Sequence, residues 1–480
     1  MHVVQSPEPV RIALLQWYAG VHSSRNMPWR KPYDPLQGPE ERSQRAYEVW
    51  VSEIMLQQTQ VATVIPYYTR WMGKFPTIRD LAAANIEEVN ALWKGLGYYS
   101  RASRLLAGAQ KAVTEYQGRL PDNAKDLEAN IPGIGRYSAG AIASIAYGEH
   151  VPVLDGNVHR LMSRILALHA PPKAKATLDI LWAAAAAMVT PKGNIAVSSK
   201  GDDSSKQPLE STQYAGDINQ ALIELGSIVC KVRDPLCKSC PLRPWCRAYG
   251  ISTSGSEPIA DIEDGCTLCE PLEERAVTAY PMKADRKKPR EELDIVNVVE
   301  WCSTAKPEDR WFLMVRRPKG GLLAGLYEFP TSSNVTKTTS RTAQTKIAHE
   351  LLSQLIVPHI LPYDPKKKKA VGDCLRITSI KTVEDVVHVF SHIRKTYRPQ
   401  WVVLQGGKGL PPLDLSAVPS PMTPKPGEIE GSGAIRPSTY LPVDASWVRL
   451  KDVPSANMGT GVVKVWNSTR ALWEVDIDGR

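Results

Sequence analysis

Cys230, Cys237, Cys240 and Cys246 stand at C-x6-C-x2-C-x5-C. Four thiols this close in sequence can wrap one metal centre, and doing so closes the end of a domain around it. An all-thiolate set of four suits either structural zinc or a [4Fe–4S] cluster. Zinc sites typically pair two C-x2-C units across a longer gap, so this spacing favours iron–sulfur. Disulfides would need an oxidising compartment. The opening MHVVQSPEPVRIALLQWY lacks the plan of a secretory signal, and no apolar run reaches membrane-spanning length. A reducing, intracellular setting without membrane association is expected. Lys231, Arg233, Lys238, Arg243 and Arg247 lie between and beside the cysteines. A basic loop displayed this way suits a DNA backbone; a solvated basic surface explains each residue singly as well.

A second constraint lies upstream, in IPGIGRYSAGAIASIAYGEHVPVLDGNVHR, residues 131–160. Pro132-Gly133-Ile134-Gly135 forms a tight turn that runs into a small-residue helix from Ser138 to Ala146. Gly133 and Gly135 let the backbone approach a ligand and leave amides free at a helix start, which suits a phosphate. The stretch closes on an acid in a glycine turn, Asp155-Gly156-Asn157. Taken alone it also fits an ordinary helix–turn–helix.

The 480 residues suggest about three domains. Helical spacing is expected at 7–24, 46–59, 61–73, 86–95, 99–117 and 124–129, with few alternating stretches before residue 250. Residues 7–250 therefore read as an all-α domain, interrupted by a polar insertion at 190–214. Residues 251–292 read as a linker, with a basic run at 286–290. Short β-rich runs follow at 295–299, 311–315, 386–390 and 401–404. Residues 293–480 read as a separate α+β domain with a Pro/Gly/Ser-rich insertion at 406–438. The excess of 59 Lys and Arg over 50 Asp and Glu gives a net charge of +9 and fits a polyanion partner.

The order of hairpin, acid and four cysteines resembles the endonuclease III superfamily of helix–hairpin–helix DNA glycosylases. Within it the chain is most similar to the adenine DNA glycosylases of the MutY type. The residues that carry the resemblance are WVSEIMLQQTQV (50–61), GLGYYSR (95–101), PGIGRY (132–137), LDGNV (154–158) and NQAL (219–222). They cover 10–250 almost continuously. Bifunctional relatives place a lysine after the hairpin to attack the sugar. Here that place holds Tyr137, which implies a monofunctional enzyme that hydrolyses the bond with water.

Adenine leaves poorly unless its ring is protonated, and the sugar becomes cationic as the bond breaks. A general acid and a carboxylate meet these needs. Glu53, in an otherwise apolar helix, is the better acid, because desolvation raises its pKa. The resemblance implies the same, with Asp155 stabilising the cation and Tyr137 and Asn157 orienting the groups and the water. Asp155 also suits a helix N-cap. The resemblance further implies Gln58 and Tyr98 as wedges into the duplex, Thr59 and Leu96 near the opposing base, and Arg30 and Gln220 lining the adenine pocket. A packed core tyrosine explains Tyr98 equally well.

Gly325 to Pro330 resembles the start of a Nudix domain, but Glu350 is the one acid in the following SSNVTKTTSRTAQTKIAHELLSQLI. A Nudix-like fold without hydrolase chemistry is expected. In adenine glycosylases this domain reads 8-oxoguanine, and the matching residues are Phe390, Ser391 and His392. The implied substrate is duplex DNA carrying adenine opposite 8-oxoguanine or guanine, handled in base excision repair. Eukaryotic relatives hold zinc in the linker, where Cys266 and Cys269 are the two ligands at hand. The resemblance also implies repair and checkpoint proteins docking on the linker, a monomer, and a nuclear location, with the mitochondrion as an alternative. Three rivals are a glycosylase for thymine in G·T mispairs, a lesion-binding protein without catalysis, and a nucleotide pyrophosphohydrolase.

Overall fold

Helix α2 (Pro39–Leu56) runs through the middle of the first half of the molecule, and almost every side chain from Arg45 to Met55 is buried. The structure is a computed structural model. It describes residues 2–190, 214–254, 266–272, 274–284, 288–302, 309–318, 323–357, 359–366, 374–390, 392–407, 409–414 and 444–477. Residues 191–213 of the insertion expected at 190–214, and most of that expected at 406–438, lie outside these residues. The chain divides into two compact units, Met1–Leu92 with Arg101–Arg286, and Trp93–Ser100 with Lys287–Arg480.

The first unit is built from α1 (Pro7–Val21), α2, α3 (Val61–Lys74), α4 (Ile78–Ala83), α5 (Ile86–Trp93), α6 (Ser100–Glu115), α7 (Ala124–Asn130), α8 (Arg136–Ala146), α9 (Gly156–Leu166), α10 (Lys175–Val189), α11 (Ala215–Ile228) and α12 (Arg247–Thr253). α2 starts before the expected Ala46, because Pro39 suits a first helical turn and the Glu41 carboxylate accepts the Gly38 N–H at 2.9 Å. α4 was not expected. Its start is a capping box: Asp80 accepts the Thr77 N–H at 2.9 Å, and Thr77 Oγ1 accepts the Asp80 N–H at 3.3 Å.

Two buried polar side chains tie these helices together. Arg101 donates one Nη1 to the carbonyls of Ile54 (2.7 Å), Met55 (3.1 Å) and Gln57 (2.7 Å). The last carbonyls of α2 have no intrahelical partner, and this cation satisfies them. Asn219 on α11 is fully buried. Its amide donates to Ser144 Oγ and to the Val151 carbonyl, both at 2.9 Å, and its Oδ1 accepts the Val153 N–H at 3.2 Å. The strap from α8 to Asp155 is thereby pinned.

Much of the stretch expected as linker packs within the first unit. The Glu270 N–H donates to the His169 carbonyl at 2.7 Å, and Tyr280 is buried.

The second unit is a mixed sheet covered on both faces by helices. Its strands are β1 (Arg290–Cys302), β2 (Arg310–Arg316), β3 (Tyr327–Glu328), β4 (Thr331–Ser332), β5 (Ile360–Leu361), β6 (Leu375–Thr382), β7 (Val386–Val389), β8 (Ile393–Gln405) and β9 (Asp444–Arg449). The spine of the sheet runs β3-β2-β1-β8-β6-β5, with β1 and β8 parallel over thirteen residues and the β1–β2 pair antiparallel. Alternate side chains point to opposite faces. Val299, Trp301, Leu313 and Val315 meet α13 (Arg341–Leu355), while Val296, Val298, Phe312 and Met314 meet α14 (Thr460–Ile477). Burial on both faces makes the centre of β1 mostly apolar, interrupted by buried charges that find partners. Lys395 on β8 pairs with Asp294 at 2.7 Å and Glu292 at 3.0 Å, and Glu300 pairs with Arg310.

Replacing Asn219 with Ala strands a buried N–H, a carbonyl and a hydroxyl, at a cost of about 2–4 kcal/mol. The variant is expected to melt several degrees below wild type in tryptophan-fluorescence unfolding. An unchanged midpoint would mean that water replaces the amide.

Candidate active site

A cleft of roughly 780 Å³ opens in the first unit, large enough for a nucleoside. α2 contributes Glu53, α8 contributes Tyr137, and the start of α9 contributes Asp155 and Asn157. Glu53 is buried, and the Tyr137 hydroxyl donates to its Oε2 at 2.7 Å. Burial pushes the Glu53 carboxyl up to about 7, with the negative charge of Asp155 adding to the rise and the Tyr137 hydrogen bond opposing it. Burial and the two carboxylates hold the Tyr137 hydroxyl well above its ordinary value, so it stays a neutral donor.

Asp155 has a different environment. It is the N-cap of α9, where Oδ1 accepts the N–H of Asn157 (2.9 Å) and of Val158 (2.8 Å) and Oδ2 accepts the Asn157 side-chain amide (2.8 Å). Burial raises its pKa, while these three donors and Arg160 pull it back. The N-cap and the cleft-lining group are thus one side chain. Arg160 holds Asn157 in turn, donating to its Oδ1 at 3.0 Å, to the Gly226 carbonyl at 2.6 Å and to the Cys230 carbonyl at 2.8 Å. A Cβ at position 226 would sit 2.8 Å from Asn157 Cβ, so only glycine lets α11 approach α9 here.

The four cysteines line a small cavity beside α9. Arg164 is almost fully buried and donates to Cys230 Sγ at 3.2 Å and to the carbonyls of Lys231 (2.7 Å), Val232 (3.1 Å) and Tyr280 (3.0 Å). Burial pushes the Cys240 thiol up to about 12 and the Cys246 thiol up to about 11. Four thiols around one cavity are a donor set that suits a metal centre, and they are its candidate ligands.

Arg30, Gln58, Thr59 and Gln220 line the same cleft. Gln58 is exposed with φ +56. Sequence reasoning missed Glu224. It is buried and ion-paired with Arg30 and, at 3.0 Å, with Arg25. Its signal was the one that marked Glu53, an acid flanked by apolar helix residues. Gly133 and Gly135 form the exposed hairpin between α7 and α8, with φ +84 at Gly133, and do not line the cleft.

The remaining expected residues fall in the second unit. Leu96 is buried and Tyr98 is 47% exposed, the latter in the left-handed region at φ +48. Phe390 closes the β7–β8 turn, its N–H donating to the Ile393 carbonyl at 2.8 Å and its ring packing edge-on against His388. His392 is exposed at the same turn, and Ser391 lies outside the described residues. In the first unit, Cys266 and Cys269 gain a third candidate ligand. His2 Nε2 lies 3.2 Å from Cys269 Sγ, and the ligand atoms of all three fall within 4.8 Å of one another. No local spacing could have linked residue 2 to residue 269. Among the described residues no helix is long and apolar enough to cross a membrane.

A family model described as HhH-GPD superfamily base excision DNA repair protein matches residues 51–186. Adenine DNA glycosylase of Homo sapiens is 37% identical over 474 residues, covering 95% of this chain and 73% of that protein. The Rattus norvegicus enzyme of the same name is 41% identical over 411 residues, covering 82% and 70%. Among solved structures, a thermostable thymine-DNA glycosylase aligns at 22% identity and a TM-score of 0.39, covering 51% of this chain and 96% of that one. Identity of this depth runs through both units and past the helix–hairpin–helix core, and it places the chain in the adenine DNA glycosylase family.

Proposed function

We propose that the chain flips adenine out of duplex DNA opposite 8-oxoguanine or guanine and removes it by acid-assisted hydrolysis. Adenine removal in base excision repair follows from the family. The observation that carries the chemistry is the contrast between two carboxyls in one cleft. Glu53 is dry, with one hydroxyl donor and a pKa near 7. Asp155 accepts three N–H groups, which favour its ionised form. Glu53 therefore keeps a substantial protonated fraction near pH 7, where an ordinary glutamate has almost none, and gives that proton to the adenine ring. Asp155 faces the positive charge that grows on the sugar. Tyr137 fixes one oxygen of Glu53 and leaves the other for the base. Asn157, held by Arg160, keeps Asp155 in register. Without a lysine at position 137, water completes the reaction and no Schiff base forms. Arg30 and Gln220 offer donors to the edge of the extruded base, and Glu224 keeps Arg30 extended into the cleft.

A [4Fe–4S] cluster on Cys230, Cys237, Cys240 and Cys246 is part of this reading, and zinc on His2, Cys266 and Cys269 is a second metal site. When bound, the cluster supplies a rigid centre for the loop that carries Lys231, Arg233, Lys238 and Arg243. The second unit reads the base opposite adenine through Phe390, Ser391 and His392. The sole acid of α13, Glu350, pairs with Lys346 at 3.6 Å, and this supports a Nudix-like module without hydrolase chemistry. Stretch 251–292 would receive repair and checkpoint proteins, in the nucleus.

Single-turnover adenine release tests the assignment. Glu53→Gln is expected to slow release by about 10²–10⁴-fold, and the wild-type rate is expected to fall as pH rises through 7. The same substitution has a stability signature. A carboxyl raised from 4.5 to about 7 in the folded state stabilises fully below 4.5 and loses that contribution as pH rises through 7. Above pH 7, Glu53→Gln should therefore be the more stable protein, by up to about 3 kcal/mol, and the difference should vanish in acid; equal melts at pH 8 would refute the dry-carboxyl account. Borohydride is expected to trap no covalent adduct on DNA. Phe390→Ala is expected to slow release opposite 8-oxoguanine about tenfold, the effect of losing roughly one stacking contact, with little change opposite guanine. Equal slowing for both would remove this turn from base reading.

A further inference from the structure

Two arginines flank the hairpin without being spent on the fold. The aliphatic stem of Arg104, on α6, packs against the open face of Gly133, where a Cβ would lie 2.7 Å from Arg104 Cβ. Its side chain is exposed, with no hydrogen bond or ion pair among the described residues. Arg136 begins α8 directly after Gly135, and it too is exposed and makes no polar contact among the described residues. Its guanidinium instead lies 3.9 Å from the ring centre of Trp182, on α10. Most other arginines of this unit are consumed internally, as Arg45, Arg101, Arg160 and Arg164 are.

The contrast is informative because an arginine stacked on an indole keeps its N–H fork free in the ring plane. The stack fixes the long side chain without using its donors, so less freedom is lost when an anion arrives. Gly133 does the same for Arg104 by giving its stem a surface to lie on. The absence of a side chain at 133 thus serves a neighbour as well as the turn.

We infer that Arg104 and Arg136 grip two backbone phosphates of duplex DNA on either side of the hairpin, and that Trp182 is the positioning residue for Arg136. The inference rests on the DNA glycosylase reading and adds residues to it. Neither arginine lines the cleft, so chemistry on bound DNA does not depend on them.

The test is equilibrium binding of the full chain to a fluorescent undamaged duplex over a range of KCl, read as the slope of log K against log salt. Each phosphate contact contributes about 0.9 to that slope. Arg104→Gln and Arg136→Gln are each expected to flatten it by about one, and the double variant by about two. Trp182→Leu is expected to move toward Arg136→Gln and to add nothing when combined with it, whereas Trp182→Phe, which keeps a ring face, retains most of the slope. Single-turnover release at saturating enzyme should be unchanged in the arginine variants. A wild-type slope in either arginine variant overturns the two-sided grip. A wild-type slope in Trp182→Leu beside a flattened Arg136→Gln overturns the role of the indole. A wild-type protein that binds duplex steeply but releases no adenine would instead overturn the glycosylase reading.

Discussion

The site depends on keeping one carboxyl dry and another well supplied with donors. Two acids in one cleft tend to titrate together, and a shared environment would leave neither with a defined role. The fold separates them by placing Glu53 in the buried stretch of one helix and Asp155 at the N-terminal amides of another. Much else follows from that separation. Arg101 finishes α2 just past the site, Asn219 fixes the strap leading to Asp155, and Arg160 holds the side chain that supports it. These are polar residues inside a core, where an unpaired group costs more than a lost contact. Their hydrogen bonds to backbone and side-chain groups help a helical bundle hold two carboxyls in such unequal surroundings.

Some of this was legible in the sequence because the signals were local. Acids set in apolar helix stretches gave Glu53, the glycine turn gave Asp155 as an N-cap, and the hairpin could be read from Gly133 and Gly135. Glu224 carried the same signal as Glu53 and was passed over because its helix was valued for Gln220. The capping box at Thr77 and Asp80 was likewise readable. What was not readable was partnership across long separations. His2 beside Cys269, Arg30 on Glu224 and Arg136 on Trp182 join residues that no periodicity connects. Strand β8 looked shorter than it is because Lys395, Arg398 and Pro399 interrupt its apolar pattern. The buried ion pairs of Lys395 with Asp294 and Glu292 restore order that composition alone conceals.

The two units illustrate different uses of a buried charge. In the second, Lys395 and Glu300 are neutralised by neighbours on adjacent strands and serve the sheet. In the first, Glu53 has no cation hydrogen-bonded to it among the described residues, and its carboxyl holds a proton to higher pH than an ordinary glutamate does. A charge that is paired stabilises a fold, while one that is left protonated stores reactivity at a cost in stability.

Arg164 sets a condition on how this protein is made. Its guanidinium is enclosed by carbonyls from residues 230–232 and by that of Tyr280, well beyond the last full helix of the first unit. During synthesis α9 emerges long before those partners exist. Until residue 280 is available, the inner face of α9 carries an arginine with incomplete pairing, so the first unit cannot settle fully while its own end is still being translated. The same bonding defines where the unit ends as a piece of chain. A fragment cut after α12, where composition alone would place the boundary, keeps the helices but loses the closing strap, and the true end of this unit lies some thirty residues further on, by about the reach of that stretch.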